Sequence, residues 1–123
     1  MTGPIIEPLS GTRANRFRII RDAILANVKP AQSKMNGHAS FSIGEFLISY
    51  AIPGAFPGRP FNMSIWPSGT QDRGHIVQGD KVANVDWDQA DNIQIISYRS
   101  GDWEQRLLNL VSCSSGLDFL PRR

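Results

Sequence analysis

The sequence predicts an α+β fold: an antiparallel sheet of three to five strands, arranged as a meander, with an N-terminal and a C-terminal helix packed on one face. Three observations predict it. Apolar residues recur at spacings of three and four near both ends of the chain, at Phe17, Ile20, Ile24 and Val28 and again at Trp103, Leu107, Leu110 and Val111, as on one side of an amphipathic helix. Between them the period falls to two, as in Phe61, Met63 and Ile65 alternating with Asn62, Ser64 and Trp66, the pattern of a half-buried strand. The length, 123 residues, fits one domain that buries roughly two thirds of its unfolded surface and needs no disulfide or metal to fold.

Residues 1–12 read as an extended arm ahead of a single α+β domain over 13–123. Pro4 and Pro8 oppose helix and Ser10-Gly11-Thr12 is turn material, while Ile5, Ile6 and Leu9 are able to dock the arm on a surface. A helix is expected from about Arg13 to Val28, with Thr12 as its cap and Pro30 as its stop. The stretch Phe41 to Ile52 suits a buried strand by its Ile, Phe and Tyr content. Ser42 and Glu45 offer a capping-box alternative in which a helix starts there. Pro53 to Pro60 is a rigid connection. A meander is expected next: Phe61 to Trp66, a short strand His75 to Gln78, Lys81 to Trp87, and Ile93 to Arg99. A last helix follows Gly101, with Asp102 as cap and Gln105 in capping-box relation to it. Gly116 is its stop.

Hydrophobic residues make up 41% and charged residues 20%, a globular balance. No stretch approaches the ~18 apolar residues of a membrane helix, and no basic-led apolar leader is visible. Cys113 is the single cysteine, so no intrachain disulfide forms. A soluble, cytoplasmic protein is expected. The net charge is +2. Residues 1–60 hold seven basic and three acidic groups, and residues 61–123 six basic and eight acidic, so the basic excess gathers on the first helix and its flanks.

That excess raises nucleic-acid binding through Arg13, Arg16, Arg18, Arg21 and Lys29, with Lys34 beyond. Against it, the arginines scatter over more than half the helix circumference, as on an ordinary solvated face. The acidic cluster Asp86, Asp88 and Asp91 raises a hard cation, but lacks the glycine and closing glutamate of a calcium loop and reads as turn chemistry. His38 and His75 have no motif spacing to each other or to Cys113. Cys113 stands at a helix C-terminus, where the dipole disfavours a thiolate. No phosphate loop or dinucleotide fingerprint is present. No catalytic residue, metal site or cofactor is therefore assigned.

The aromatic residues are the remaining signal. Trp66 opposes the Phe61/Met63/Ile65 side of its strand, so an exposed Trp66 is expected beside Pro67. Trp66, Phe56, Arg59 and Trp87 are the candidates for an interface or ligand surface. The favoured function is a non-enzymatic binding or regulatory protein that acts through a protein–protein surface, with a protein partner or itself, as a homodimer. Nucleic-acid binding through the first helix, and small-ligand binding in an aromatic-lined pocket, are the alternatives.

Overall fold

In this computed structural model, residues 5–27, 37–54, 60–68, 81–113 and 120–121 are described. Strand β1 (Ile5–Leu9) leads into helix α1 (Gly11–Asn27). Strands β2 (His38–Ile43), β3 (Phe46–Ala51), β4 (Phe61–Pro67), β5 (Ala83–Trp87) and β6 (Ile93–Ser97) follow. Helix α2 (Trp103–Cys113) and the two-residue β7 (Leu120–Pro121) complete the order.

One sheet runs β1-β6-β5-β4-β3-β2-β7, and every neighbouring pair is antiparallel. β2 to β6 form a continuous meander. The sheet thus has six strands and a two-residue seventh, where three to five were expected. Two segments account for the difference. The arm is one: residues 5–9 pair with β6, from Ile5 opposite Ser97 to Leu9 opposite Ile93. The stretch Phe41 to Ile52 is the other. It is neither one strand nor a helix start but a hairpin, turned at Gly44-Glu45. Gly44 has φ +55°, which suits the first central position of a two-residue turn whose twist matches the flanking strands. Ser42 sits on β2 opposite Leu47, so it caps nothing. The expected strand His75 to Gln78, with His75 itself, lies outside the described residues, as do Val28, Pro30 and Gly116.

Helix α1 starts two residues earlier than expected. The Ala14 amide donates to the Ser10 carbonyl, at 3.3 Å, which puts Ser10 rather than Thr12 at the cap. In α2 the Arg106 amide donates to Asp102 O, at 3.1 Å, so Asp102 is the cap residue. Gln105 does not reach back to it; its amide donates to Asn109, at 2.9 Å.

Strand alternation assigns Phe41, Ile48, Tyr50, Phe61, Met63, Ile65, Val85, Trp87 and Ile95 to one side of the sheet. All are buried, in one cluster with Ala14, Phe17, Ile20 and Ile24 of α1 and Trp103, Leu107 and Val111 of α2. Phe17 meets Trp103 with ring centroids 6.0 Å apart. Each large apolar side chain removed from water there contributes roughly 1.5–3 kcal/mol, so apolar burial outweighs any single surface ion pair. The opposite side of the sheet is polar in its middle. Asn62 Nδ2 donates to Asp86 Oδ1 (2.7 Å) and Ser64 Oγ to Asn84 Oδ1 (2.6 Å) across β4 and β5.

Candidate interaction surface

Trp66 is not exposed. It is 6% accessible, although alternation does place it opposite the Phe61/Met63/Ile65 side. Its cross-strand neighbour Leu47 is buried at 1%, and the Lys81 ammonium sits over the indole, 4.8 Å from the ring centroid. That end of the polar side is therefore covered in part by Lys81, itself 8% accessible. Burial pushes the Lys81 amine below its ordinary value. Period two gives the side of the sheet but not what covers it, which is why the expectation fails.

Trp87 is also a core residue. Its ring packs edge-on to Phe61 at 5.1 Å. The row continues from Phe61 to Tyr50 at 5.9 Å and from Tyr50 to Phe41 at 6.1 Å. These rings pack against one another; Trp87 also borders a surface groove, where it is the one aromatic side chain among the described residues. Burial raises the pKa of the Tyr50 phenol. Phe56 and Arg59 lie outside the described residues.

The four arginines of α1 are all ion-paired within the chain. Arg13 donates from Nε and Nη2 to Glu104 and from Nη1 to Glu7 (2.7 Å), and Arg16 Nη1 reaches Glu104 at 3.0 Å. Glu104, in the first turn of α2, is 8% accessible. Arg18 and Arg21 converge on Asp91, at 2.8 and 2.5 Å, and Arg21 also lies 5.6 Å from the Trp87 ring centroid. Two carboxylates thus hold four guanidinium groups, and the scatter of those arginines follows from it: one pair faces α2, the other the β5–β6 loop. Lys29 and Lys34 lie outside the described residues.

The acidic cluster forms that loop. Asp88 Oδ1 accepts from the amides of Ala90 and Asn92, each at 2.9 Å, an Asx-type turn. The Asn92 backbone N–H holds the Asp88 carboxyl below the usual carboxylate range. Asp91 stands at φ +64°, a left-handed conformation that Asp tolerates better than most residues. Arg21, then Arg18, lowers its pKa. Asp86 accepts from Asn62 instead. Among the described residues no three His, Cys, Asp or Glu side chains are grouped to hold a metal ion. Among the described residues no helix is long and apolar enough to cross a membrane. His38 is exposed at the start of β2, and the Cys113 side chain is outside the described set.

The exposed large apolar groups lie elsewhere, Ile19 and Leu25 on α1 and the other three at the β1 edge. On β1, Ile5 and Ile6 are 59% and 58% accessible, and Tyr98, just past β6, is 41% accessible. Ile6 faces the half-buried Ile96 across the ladder. A groove of about 430 Å³ adjoins this edge, lined by Ile5, Glu7, Arg13, Tyr98, Trp103 and Glu104. A second, of about 530 Å³, lies by Pro8, Asp86, Trp87 and Asp88. The sequence holds part of this signal, since Ile5 and Ile6 lie outside any amphipathic pattern. No protein-family model matches the chain, nor does any curated protein or solved structure.

Proposed function

We propose that the chain is a non-enzymatic binding protein that acts through a protein–protein surface and associates with a second copy of itself, in the cytoplasm. The observation that carries this reading is the exposure of Ile6 on an edge strand, beside the half-buried Ile96 and near Tyr98, with Ile5 exposed on the other side of the same strand. Apolar groups left together in water on a small domain mark an association surface. In this reading both helices lie on one side of the sheet, and the β1 edge is chosen over the exposed Ile19 and Leu25 of α1 because it also has the half-buried Ile96 beside it. The single cysteine fits a reducing compartment.

Nucleic-acid binding ranks lower, because phosphate would have to displace Glu104 and Asp91 from arginines they already hold. A small-ligand site ranks lower too, because the core rings pack on one another.

Size-exclusion chromatography with light scattering, at low and high salt and with and without nuclease, tests the proposal. The expected result is a dimer indifferent to salt and free of nucleic acid. Ile6→Lys should shift it to monomer with a change in stability under about 0.5 kcal/mol, as for an exposed surface position. A monomer that carries nucleic acid at low salt and sheds it at high salt would overturn the proposal.

A further inference from the structure

We propose that β1 is an exchangeable strand, which in the associated form pairs with β6 of a second copy; this rests on the self-association proposed above. Four observations lead to it.

The first is how little side-chain packing holds β1. Ile5 and Ile6 are more than half exposed. Glu7 makes a part-exposed ion pair with Arg13, and Leu9 alone packs against the core. The strand stays in place chiefly through its ladder to β6. The second is the joint to α1, which is Ser10 and then Gly11. Gly11 has φ +59°, and no neighbouring atom lies within 4 Å of where a Cβ would stand. A glycine in open space accepts a wide change of backbone angle, as a hinge requires.

The third is the polarity of the edge. The Tyr98 amide donates to Val82 O on the β5 side, at 2.9 Å. Backbone alternation then turns the N–H groups of Ile93, Ile95 and Ser97 toward β1, and those of Ile5, Glu7 and Leu9 toward β6. Ile6 and Pro8 face outward. Pro8 has no N–H, so the Ile6 amide is the single donor on the outer edge of β1. Proline at such positions blocks growth of a sheet, so a second copy gains little by adding a strand onto β1. The edge of β6 beneath has no proline. Once β1 leaves, it presents a full ladder, while Ile93 and Ile95 stay buried in the core.

The fourth is fit. The register of β1 on β6 is fixed at three points: Glu7 at Arg13, Pro8 outward and Leu9 against the core. A second copy supplies the same three in the same order, so exchange recreates every contact and only the hinge differs. Such exchange is a common low-cost route to a dimer.

The test uses the full chain in a Cys113→Ser background, with Ile6→Cys on one copy and Ile96→Cys on another. These positions face each other in the register as a non-hydrogen-bonded pair, with Cα atoms about 4.5 Å apart, within the span a disulfide accepts. Mixed at high concentration and oxidised, the two variants should give a disulfide-linked dimer with one copy of each, in excess over like-with-like dimers. With both cysteines on one chain, oxidised while dilute, β1 is locked to its own β6. Light scattering should then show monomer at concentrations where the reduced chain associates. If the locked chain associates as the reduced one does, exchange is wrong, while association through the exposed isoleucines stands. If the unmutated chain stays monomeric at every concentration, both fall. Should either isoleucine variant fail to fold, Ile5 and Ser97, the next facing pair, serve for the same two measurements.

Discussion

At the scale of single residues, Glu104 and Asp91 organise the charged surface; Glu104 does not stand out in the sequence, and Asp91 does so only as part of an acidic cluster, not as a partner of arginines. Glu104 accepts from Arg13 and Arg16 at a nearly buried position. Removing one partner from such a cluster costs more than the cluster contributes, because the remaining charges lose their counter-ion where water reaches them poorly. Glu104→Gln should therefore destabilise the fold by about 2 kcal/mol, discounted from the ~3–5 kcal/mol of a fully buried pair because Arg13 and Arg16 keep some exposure. Urea unfolding at neutral pH measures it. Asp91 is more exposed, with its side chain 47% accessible, so its pairs are worth at most ~1 kcal/mol. Its carboxyl pKa is depressed in the folded state, chiefly by Arg21. A depressed folded pKa gives stability that is fully present above the unfolded value of ~3.9 and is lost as pH falls through the folded value. The stability gap between the native chain and Asp91→Asn should then be constant from pH 7 to about 5 and close progressively below about 4. Urea unfolding across that range reads it, and a gap that widened in acid would contradict the assignment.

The clearest case among the elements is the β2–β3 hairpin. Its turn depends on Gly44, which combines a positive φ with a crowded neighbour. A Cβ built there would stand 2.6 Å from Leu110 Cδ1 on α2. Arg106 of α2 also binds Glu45 in the same turn, at 2.7 Å. Hairpin and helix are thus fitted to each other. Gly44→Ala should cost about 1–2 kcal/mol from the left-handed backbone alone, plus whatever Leu110 cannot yield by changing rotamer. Pairing it with Leu110→Ala relieves the crowding and leaves the backbone cost, so the double variant separates the two. Thermal unfolding of the single and double variants is the measurement. β1 is the opposite case, with its ladder complete and its side chains largely in water. Hydrogen exchange should accordingly show the amides of Ile5, Glu7 and Leu9 opening far more often than those of Met63 or Val85 in mid-sheet.

Across the whole molecule, α1 links the two halves of the sheet. Among the described residues the order runs from β1 at one edge through α1 to β2 near the opposite edge. The meander then returns strand by strand until β6 lies beside β1. Removing β1 leaves the α1 core residues and the β2–β6 meander continuous, which is what makes exchange of β1 compatible with an otherwise intact fold. Self-association should accordingly rise with protein concentration and be insensitive to salt, since exchange only replaces the Glu7–Arg13 pair within one chain by the same pair between two, and the remaining groups are backbone amides and apolar side chains.

The sequence by itself determined the two helices, the strands Phe61 to Trp66, Lys81 to Trp87 and Ile93 to Arg99 to within a few residues, and the aspartate turn between the last two. Each is written in local signals: the three-to-four spacing of Phe17, Ile20 and Ile24, the alternation of Phe61, Met63 and Ile65, the Asx chemistry of Asp88. Only the tertiary structure decided that Ile5 to Leu9 is a strand, that Phe41 to Ile52 folds back at Gly44, that Trp66 is covered, and that Glu104 and Asp91 take up the arginines. Those outcomes rest on contacts between residues far apart in the chain, Arg13 and Glu104 being 91 positions from each other. A local window carries the period of a segment. It does not carry the partner that buries a side chain or neutralises a charge.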